Sequence, residues 1–217
     1  MDSTQLKHLL EEMTRAEKIG QMVQLAGEFY KEEDSENTGP IHEMDMTPEK
    51  MSVIGSVLGI SGAETLITIQ KEHLAKSRLG IPLLFMADVV HGYRTIFPVP
   101  LAMASAWQPE FIEESASVSA TEAAVSGLHV TFAPMVDLVR DARWGRVMES
   151  TGEDPYLNQL YARAFVRGYQ GQDLKNDPFS VAACVKHFAG YGAPVAGTPP
   201  SELKAVITNL LPSLIPA

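Results

Sequence analysis

Hydrophobic residues recur at helical spacing in four stretches of the chain and gather into short apolar runs in five others. Spacing of three to four residues predicts a helix that buries one face, whereas an apolar run of four to six residues predicts a buried strand. The predicted helices cover residues 3–18, 63–77, 109–124 and 155–171. The predicted strands cover residues 21–25, 53–58, 83–87, 129–134 and 181–185.

Several helix ends carry recognisable signals. Thr14 is followed three residues later by Glu17, a capping-box pattern, so a second short helix is expected to begin at Thr14. Ser61 is expected to cap the helix at 63–77, and Gly80 stands where a terminating glycine would follow it. Pro109 opens the next helix at its first turn, where proline is favoured.

The order of the elements indicates an α/β fold. Strands that alternate with helices form parallel sheets with right-handed crossovers. No glycine-rich phosphate loop follows a strand, so the fingerprint of a dinucleotide fold is missing. An open doubly wound sheet and a (β/α)-barrel remain, while the acidic stretch 28–48 is expected to be a solvated loop.

Composition narrows the class of protein further. The chain has 217 residues, enough for one large domain or a piece of a larger one, and 45% are hydrophobic. A net charge of −10 argues against a nucleic-acid partner, and no apolar run reaches membrane-spanning length. The single Cys184 cannot form an internal disulfide and is expected to be a buried thiol. The polar start lacks the order of a secretion signal, so a cytoplasmic location is expected.

Polar side chains follow three of the predicted strands. Asp88 comes after the third strand, Asp137 and the arginine-rich stretch 140–146 after the fourth, and Lys186 with His187 after the fifth. In a barrel the carboxyl ends of the strands meet at one pocket. A carboxylate that accepts from vicinal hydroxyls, beside cations that donate, suits a polyol ligand.

Each of these side chains also has a structural interpretation. Asp88 could cap the helix that follows, and Trp144 could be a sugar platform or a core residue. The charged residues of 140–146 could form ion pairs with Glu149, Glu153 and Asp154. His91 and His129 are interpreted as structural.

Metal and nucleophile chemistry have no support in the sequence. No His, Asp and Glu cluster has metal-ligand spacing, so no metal site is expected. Ser/His and Cys/His nucleophile systems lack their signatures as well.

Six motifs, in order, resemble the N-terminal domain of glycoside hydrolase family 3, and within it bacterial β-glucosidases. They are residues 13–22 (MTRAEKIGQM), 81–92 (IPLLFMADVVHG), 133–137 (APMVD), 141–146 (DARWGR), 149–155 (ESTGEDP) and 185–190 (VKHFAG). Together they span roughly residues 13–193. The resemblance implies a partial TIM-like (β/α)-barrel with about five of eight strands.

The resemblance also implies roles for individual residues around a glucose-sized subsite. Asp88 would bind the distal hydroxyls of the sugar, while Lys186 and His187 would hold hydroxyls near the reacting carbon. Arg146 is the preferred arginine of this subsite and Arg143 the second choice. Non-proline cis peptide bonds are implied at the Lys-His-Phe stretch, and the implied reaction is cofactor-free, retaining hydrolysis of terminal β-D-glucosyl residues.

The catalytic carboxylates of the family have no counterpart here. The family nucleophile is an aspartate of a later strand in a Ser-Asp-Trp-like setting, and the acid/base comes later still. Trp107 follows Ala106 and Trp144 follows Arg143, so no Ser-Asp-Trp occurs and no catalytic residue is assigned. The chain alone is therefore expected to be inactive, and a non-catalytic or vestigial carbohydrate-binding protein is the alternative. A phosphate-handling α/β enzyme is a more distant one.

The end of the chain departs from the family pattern. Residues 1–194 are assigned to the partial barrel, and residues 195–217 to a divergent tail that a frameshift or premature stop would explain. A short helix is expected at 201–211 within that tail. A five-stranded piece would leave an open edge, through which the chain could form a homo-oligomer.

Overall fold

The structure is a computed structural model that describes residues 2–30 and 46–193. The chain divides into two compact units, the first formed by Met1–Ala87 with Ser126–His129 and the second by Asp88–Val125 with Val130–Ala217. Most of the loop predicted at 28–48 lies outside the described residues. The predicted tail at 195–217 and its helix at 201–211 lie outside them entirely.

The first unit combines three parallel strands with four helices among its described residues. Strand β2 pairs with β1 on one side and with β3 on the other, both in parallel. The strands are β1 (Gln24–Ala26), β2 (Ser56–Leu58) and β3 (Leu84–Ala87). The helices are α1 (Ser3–Glu12), α2 (Arg15–Gly20), α3 (Pro48–Met51) and α4 (Ala63–Lys76), and a 3₁₀ turn covers Gly27–Tyr30.

Of the two helix starts predicted in the first unit, the capping signal at Thr14 is confirmed and the one at Ser61 is wrong. The Thr14 hydroxyl accepts from the Glu17 main-chain N–H at 3.2 Å, and the Glu17 carboxylate accepts from the Thr14 main-chain N–H at 2.7 Å. This is the predicted capping box, and it separates α1 from α2. The prediction that Ser61 caps α4 is wrong, because Gly62 is the N-cap and makes no side-chain capping bond.

The second unit is built on two long helices. Its elements are α5 (Pro100–Ala104), α6 (Pro109–Val125), β4 (Val130–Thr131), a 3₁₀ turn (Val147–Glu149), α7 (Pro155–Gln170) and β5 (Ala182–Ala183). Strands β4 and β5 pair in parallel. Helices α6 and α7 lie close together because Gly168 has no side chain; a Cβ there would come within 2.3 Å of the Glu113 carbonyl oxygen. Ile112 and Phe165 are buried in this unit.

The fifth strand is shorter and more exposed than its sequence suggests. Val181 is buried, but Ala182 and Ala183 are half-buried, so this strand is not covered on both faces. The prediction that Cys184 is buried is wrong for the same reason, since its thiol belongs to a half-buried residue at the end of this short strand.

Parallel strands that alternate with helices confirm the predicted α/β class. Within the described residues, no helix has the length and apolar character needed to cross a membrane.

Candidate functional site

Four of the five predicted binding residues take part in one cluster of the second unit. The Lys186 ammonium donates to Asp88 Oδ1 at 2.5 Å. The Lys186 side chain is 13% exposed, whereas that of Asp88 is 54% exposed. Asp88 does not cap a helix, because the next helix, α5, has Val99 as its N-cap. The capping interpretation is therefore wrong, and Asp88 presents an open carboxylate held by a shielded cation.

A buried aspartate holds the histidine next to this lysine. Asp137 Oδ2 accepts from the His187 main-chain N–H at 3.1 Å and lies 2.7 Å from His187 Nδ1. The Asp137 side chain is only 3% exposed, while the His187 ring is partly open to solvent. One carboxylate oxygen thus fixes both the main chain and the ring of His187.

Arg146 connects His187 to a third carboxylate. Its Nε and Nη2 donate to the two oxygens of Glu149 at 2.7 and 2.5 Å, and its Nη1 lies 3.3 Å from His187 Nε2. The hydrogen bonds from Arg146 hold the pKa of Glu149 below its usual range, against the opposing effect of burial. We call the set Asp88, Asp137, Arg146, Glu149, Lys186 and His187 the strand-end cluster.

The structure places Arg143 apart from these bonds. Its Nε and Nη2 donate to Asp141 at 3.0 and 2.7 Å, and its side chain is 70% exposed. The ion-pair interpretation of the arginine-rich stretch is thus confirmed for Arg146 with Glu149. Arg143 instead pairs with Asp141 inside the stretch, a pairing that was not predicted. Asp154 has a different role, because its carboxylate caps α7.

Tyr191 packs against the cluster and was not singled out from the sequence. Its ring meets the His187 ring edge-on at 4.7 Å between centroids and the Trp144 ring at 5.6 Å. The Arg146 guanidinium carbon lies 5.4 Å from the Tyr191 ring centroid. Trp144 itself is 8% exposed, which favours its interpretation as a core residue. The nearness of Tyr191 to the 185–190 motif was the one sequence signal that could have revealed it.

The chain around the cluster has an unusual backbone. The Lys186–His187 and Phe188–Ala189 peptide bonds are both cis, as the resemblance implies, and the Ala133–Pro134 bond is cis as well.

A cavity of about 660 Å³ adjoins the cluster. Asp137, Lys186 and His187 belong to its wall. The remaining wall residues are Val136, Leu138, Arg140, Val185, Phe188, Ala189, Gly190, Gly192 and Ala193. The space is large enough for a monosaccharide, and polar groups of the cluster border an otherwise mostly apolar wall.

Two further histidines, His91 and His129, are bonded to main-chain groups. His91 Nδ1 lies 2.9 Å from the Phe97 carbonyl oxygen, and His129 Nδ1 accepts from the Phe85 main-chain N–H at 3.0 Å. Their interpretation as structural residues is confirmed. Across residues 2–30 and 46–193, no three His, Cys, Asp or Glu side chains are grouped so that they could hold a metal ion.

Solved structures with the same fold include β-glucosidases. A mutant β-glucosidase from Listeria innocua in complex with laminaribiose is 51% identical, with a TM-score of 0.86 over 91% of this chain and 28% of that one. The same enzyme in complex with glucose is 50% identical, with a TM-score of 0.86 over the same shares. The chain therefore has the α/β fold of the TIM-like N-terminal domain of these enzymes, and its described residues form five of the strands.

Sequence relatives extend the same comparison. A periplasmic β-glucosidase from Salmonella typhimurium is 40% identical over 191 residues, covering 87% of this chain and 23% of that protein. A β-xylosidase from Formosa agariphila is 38% identical over 139 residues, covering 59% of this chain and 19% of that protein. The chain thus spans about a quarter or less of the length of these relatives. Because the profile described as "Glycosyl hydrolase family 3 N terminal domain" matches residues 14–206, the chain belongs to glycosyl hydrolase family 3.

Proposed function

We propose that this chain binds the terminal β-D-glucosyl unit of a β-glucoside, as the sugar-holding part of a retaining β-glucosidase. The observation that carries the proposal is the strand-end cluster, in which carboxylates and cations bond to one another beside a cavity of sugar size. The sequence identity with β-glucosidases supports glucose as the sugar.

The chemistry of the cluster suits a polyol. Asp88 can accept from two vicinal hydroxyls, because its carboxylate is half exposed and Lys186 occupies one oxygen. Lys186 can donate in three directions, and Arg146 adds a planar fork. We assign Asp88 to the distal hydroxyls, and Lys186, His187 and Arg146 to hydroxyls nearer the reacting carbon.

The relatives support the ligand class. The Listeria innocua β-glucosidase was crystallised with laminaribiose, with glucose, with isofagomine and with gluconolactone. Glucose and laminaribiose carry several neighbouring hydroxyls, which is the pattern that the strand-end cluster matches. A β-xyloside is the second candidate, because the Formosa agariphila relative is named a β-xylosidase.

Hydrolysis requires a nucleophile and an acid/base, and we assign neither role to a carboxylate of the strand-end cluster. Retaining glycosidases place a nucleophile and an acid/base about 5–5.5 Å apart across the bond. In the cluster each carboxylate is already engaged: Asp88 with Lys186, Asp137 with His187, and Glu149 with Arg146. We therefore propose that the 217-residue chain binds sugar but hydrolyses glycosides negligibly by itself.

Two measurements on the purified chain test the proposal. Glucose and xylose binding are followed by calorimetry or ligand-observed NMR, and release of nitrophenol from an aryl β-glucoside is followed in parallel. We expect saturable binding with glucose preferred, weaker binding by Asp88→Ala, and no turnover above the background. Absence of glucose binding by the folded chain would overturn the binding proposal. Turnover that disappears in Asp88→Ala would overturn the proposal of negligible hydrolysis.

A further inference from the structure

Asp137 differs from the other carboxylates of the strand-end cluster in its burial. Its side chain is 3% exposed, against 54% for Asp88 and 27% for Glu149. Both of its contacts with His187 end on the same oxygen, Oδ2. The Asp137 carboxylate is thus largely shielded from a ligand, although Asp137 borders the cavity and its carboxylate determines where the His187 ring lies.

The neighbours of His187 fix which ring nitrogen carries the proton. An arginine can only donate, so Arg146 Nη1 at 3.3 Å requires a lone pair on His187 Nε2. The proton then resides on Nδ1, where Asp137 Oδ2 accepts it at 2.7 Å. The contacts with Arg146 and with Asp137 are both compatible with only the neutral Nδ1–H tautomer, because an Nε2–H would point at an N–H group of Arg146.

The surrounding groups hold this arrangement from both sides. Glu149 accepts two hydrogen bonds from Arg146, and these bonds orient the guanidinium so that Nη1 points at the imidazole of His187. The Tyr191 ring packs against both the imidazole and the guanidinium. Ring rotation of His187 would therefore break contacts with Asp137, Arg146 and Tyr191 together.

We infer that Asp137 is a positioning residue that holds His187 as an Nδ1–H tautomer, so that Nε2 keeps a lone pair and can accept a hydrogen bond from a sugar hydroxyl. This inference deepens the proposed function and rests on it for the identity of the ligand. Lys186 and His187 are then chain neighbours of opposite character, one a pure donor and the other an acceptor. A sugar hydroxyl that displaces Arg146 from Nε2 must donate to it, and a hydroxyl at Lys186 must accept.

The test uses two substitutions of Asp137 that separate its hydrogen bonds from its charge. Because both bonds use one oxygen, the amide oxygen in Asp137→Asn can accept them both, whereas Asp137→Leu has similar volume and no acceptor. Glu113→Gln is the control, since it removes one carboxylate from the ion pair with Arg167 on the surface of the same unit.

The measurements are the tautomer of His187, read from the nitrogen shifts of chain labelled with ¹⁵N-histidine, and the affinity for glucose. We expect Nδ1–H in the wild type, in Asp137→Asn and in Glu113→Gln, with glucose affinities within about threefold of one another. Asp137→Leu should show mixed tautomers and bind glucose about tenfold or more weakly, the usual scale for one lost charge-assisted hydrogen bond.

Three results would overturn the inference. One is an Nε2–H tautomer in the unliganded wild type, which can be read even if Asp137→Leu fails to fold. Another is unchanged glucose affinity in folded Asp137→Leu. The third is an Asp137→Asn variant whose glucose affinity falls as far as that of Asp137→Leu, because the charge of Asp137 and not its positioning of His187 would then matter. The tautomer measurement needs no ligand. A wild type that binds no glucose would therefore refute the proposed function, while the nitrogen shifts would still show which tautomer His187 adopts.

Discussion

Gln70 and His129 of the first unit have different kinds of partner from most side chains of the strand-end cluster in the second unit. In the first unit the side chain of Gln70 bonds to both main-chain groups of Leu83, and His129 accepts from the Phe85 main-chain N–H. In the cluster, side chain meets side chain, as in Asp88 with Lys186 and Arg146 with Glu149.

The difference separates residues that build the fold from residues available to a ligand. A side chain that satisfies a buried main-chain group cannot leave without exposing an unpaired N–H or C=O. A carboxylate and a cation that are paired with each other can separate when a ligand binds, because the ligand hydroxyls replace the hydrogen bonds that are lost. We therefore expect substitutions in the first unit to change stability, and substitutions in the cluster to change affinity for sugar.

Replacing Gln70 should have the largest effect of the substitutions considered, and this effect should be on stability alone. Gln70→Leu leaves the N–H and C=O of Leu83 without their partners at 2.9 Å, and Leu83 is only 1% exposed. Two unsatisfied buried groups cost about 2–4 kcal/mol together. Urea unfolding followed by circular dichroism should show this loss, while glucose affinity of the folded chain stays within about twofold.

The control for this substitution is the next residue of the same helix. Lys71 is exposed, so Lys71→Ala should leave the urea midpoint nearly unchanged. A Gln70→Leu chain as stable as the Lys71→Ala chain would show that the main-chain bonds of Gln70 do not matter to the fold.

Removing the lysine of the cluster should show the reverse pattern. Lys186→Met keeps the buried stem but loses the ammonium that holds Asp88, and water can solvate the half-exposed Asp88 carboxylate. Glucose affinity should fall about tenfold to hundredfold, the range for a lost hydrogen bond to a charged group, with little change in the urea midpoint. Lys71→Met is the matched control for calorimetry. A large loss of stability with unchanged affinity would place Lys186 among the structural residues.

The helices were predictable because their signals are local. Residues 109–124 and 155–171 were predicted as helices, and the structure has α6 at Pro109–Val125 and α7 at Pro155–Gln170. Helix α5 was missed because it has only five residues and its N-cap, Val99, makes no side-chain capping bond. The strands β4 and β5 are two residues long, since parallel pairing covers less of each apolar run than its hydrophobicity suggests.

The pairings within the cluster were less accessible to sequence reasoning. Asp88, Lys186 and His187 were found because each follows a predicted strand, a rule that needs no three-dimensional detail. The bond from His187 to Asp137 joins residues 50 positions apart, and no spacing rule reveals it. Contacts of that kind depend on how loops close over the strand ends, which side-chain periodicity does not describe.

The pH dependence of the first unit should carry a smaller effect. Burial lowers the pKa of His73 from its ordinary value of 6.5, and desolvation lowers the pKa of His129 as well. Below pH 6.5 the unfolded chain then binds more protons than the folded chain. Stability is therefore full above this pH and declines as pH falls toward the folded pKa. Urea midpoints measured from pH 7 down to pH 5 should follow this decline.

Hydrogen exchange at Phe85 reports this titration at one amide. The Phe85 N–H is protected by the lone pair of His129 Nδ1, which a second proton on the ring would remove. The protection factor of this amide should therefore drop between pH 7 and 5 in the wild type and in His8→Gln, which alters an exposed histidine. An amide equally protected at both pH values would show that His129 remains neutral and that its titration does not weaken the unit.

The two arginines of the Arg-Trp-Gly-Arg run provide the smallest and most selective comparison. Arg146→Lys cannot keep both hydrogen bonds to Glu149 and the contact with His187, because an ammonium lacks the planar fork, so glucose affinity should fall about threefold to tenfold. Arg143→Lys alters a pair in which the arginine is 70% exposed, and such pairs contribute little. Its affinity for glucose and its urea midpoint should match the wild type within error. If calorimetry found the greater loss in Arg143→Lys, the assignment of Arg146 to the sugar site would be reversed, and the exposed ion pair with Asp141 would have to open when the ligand binds.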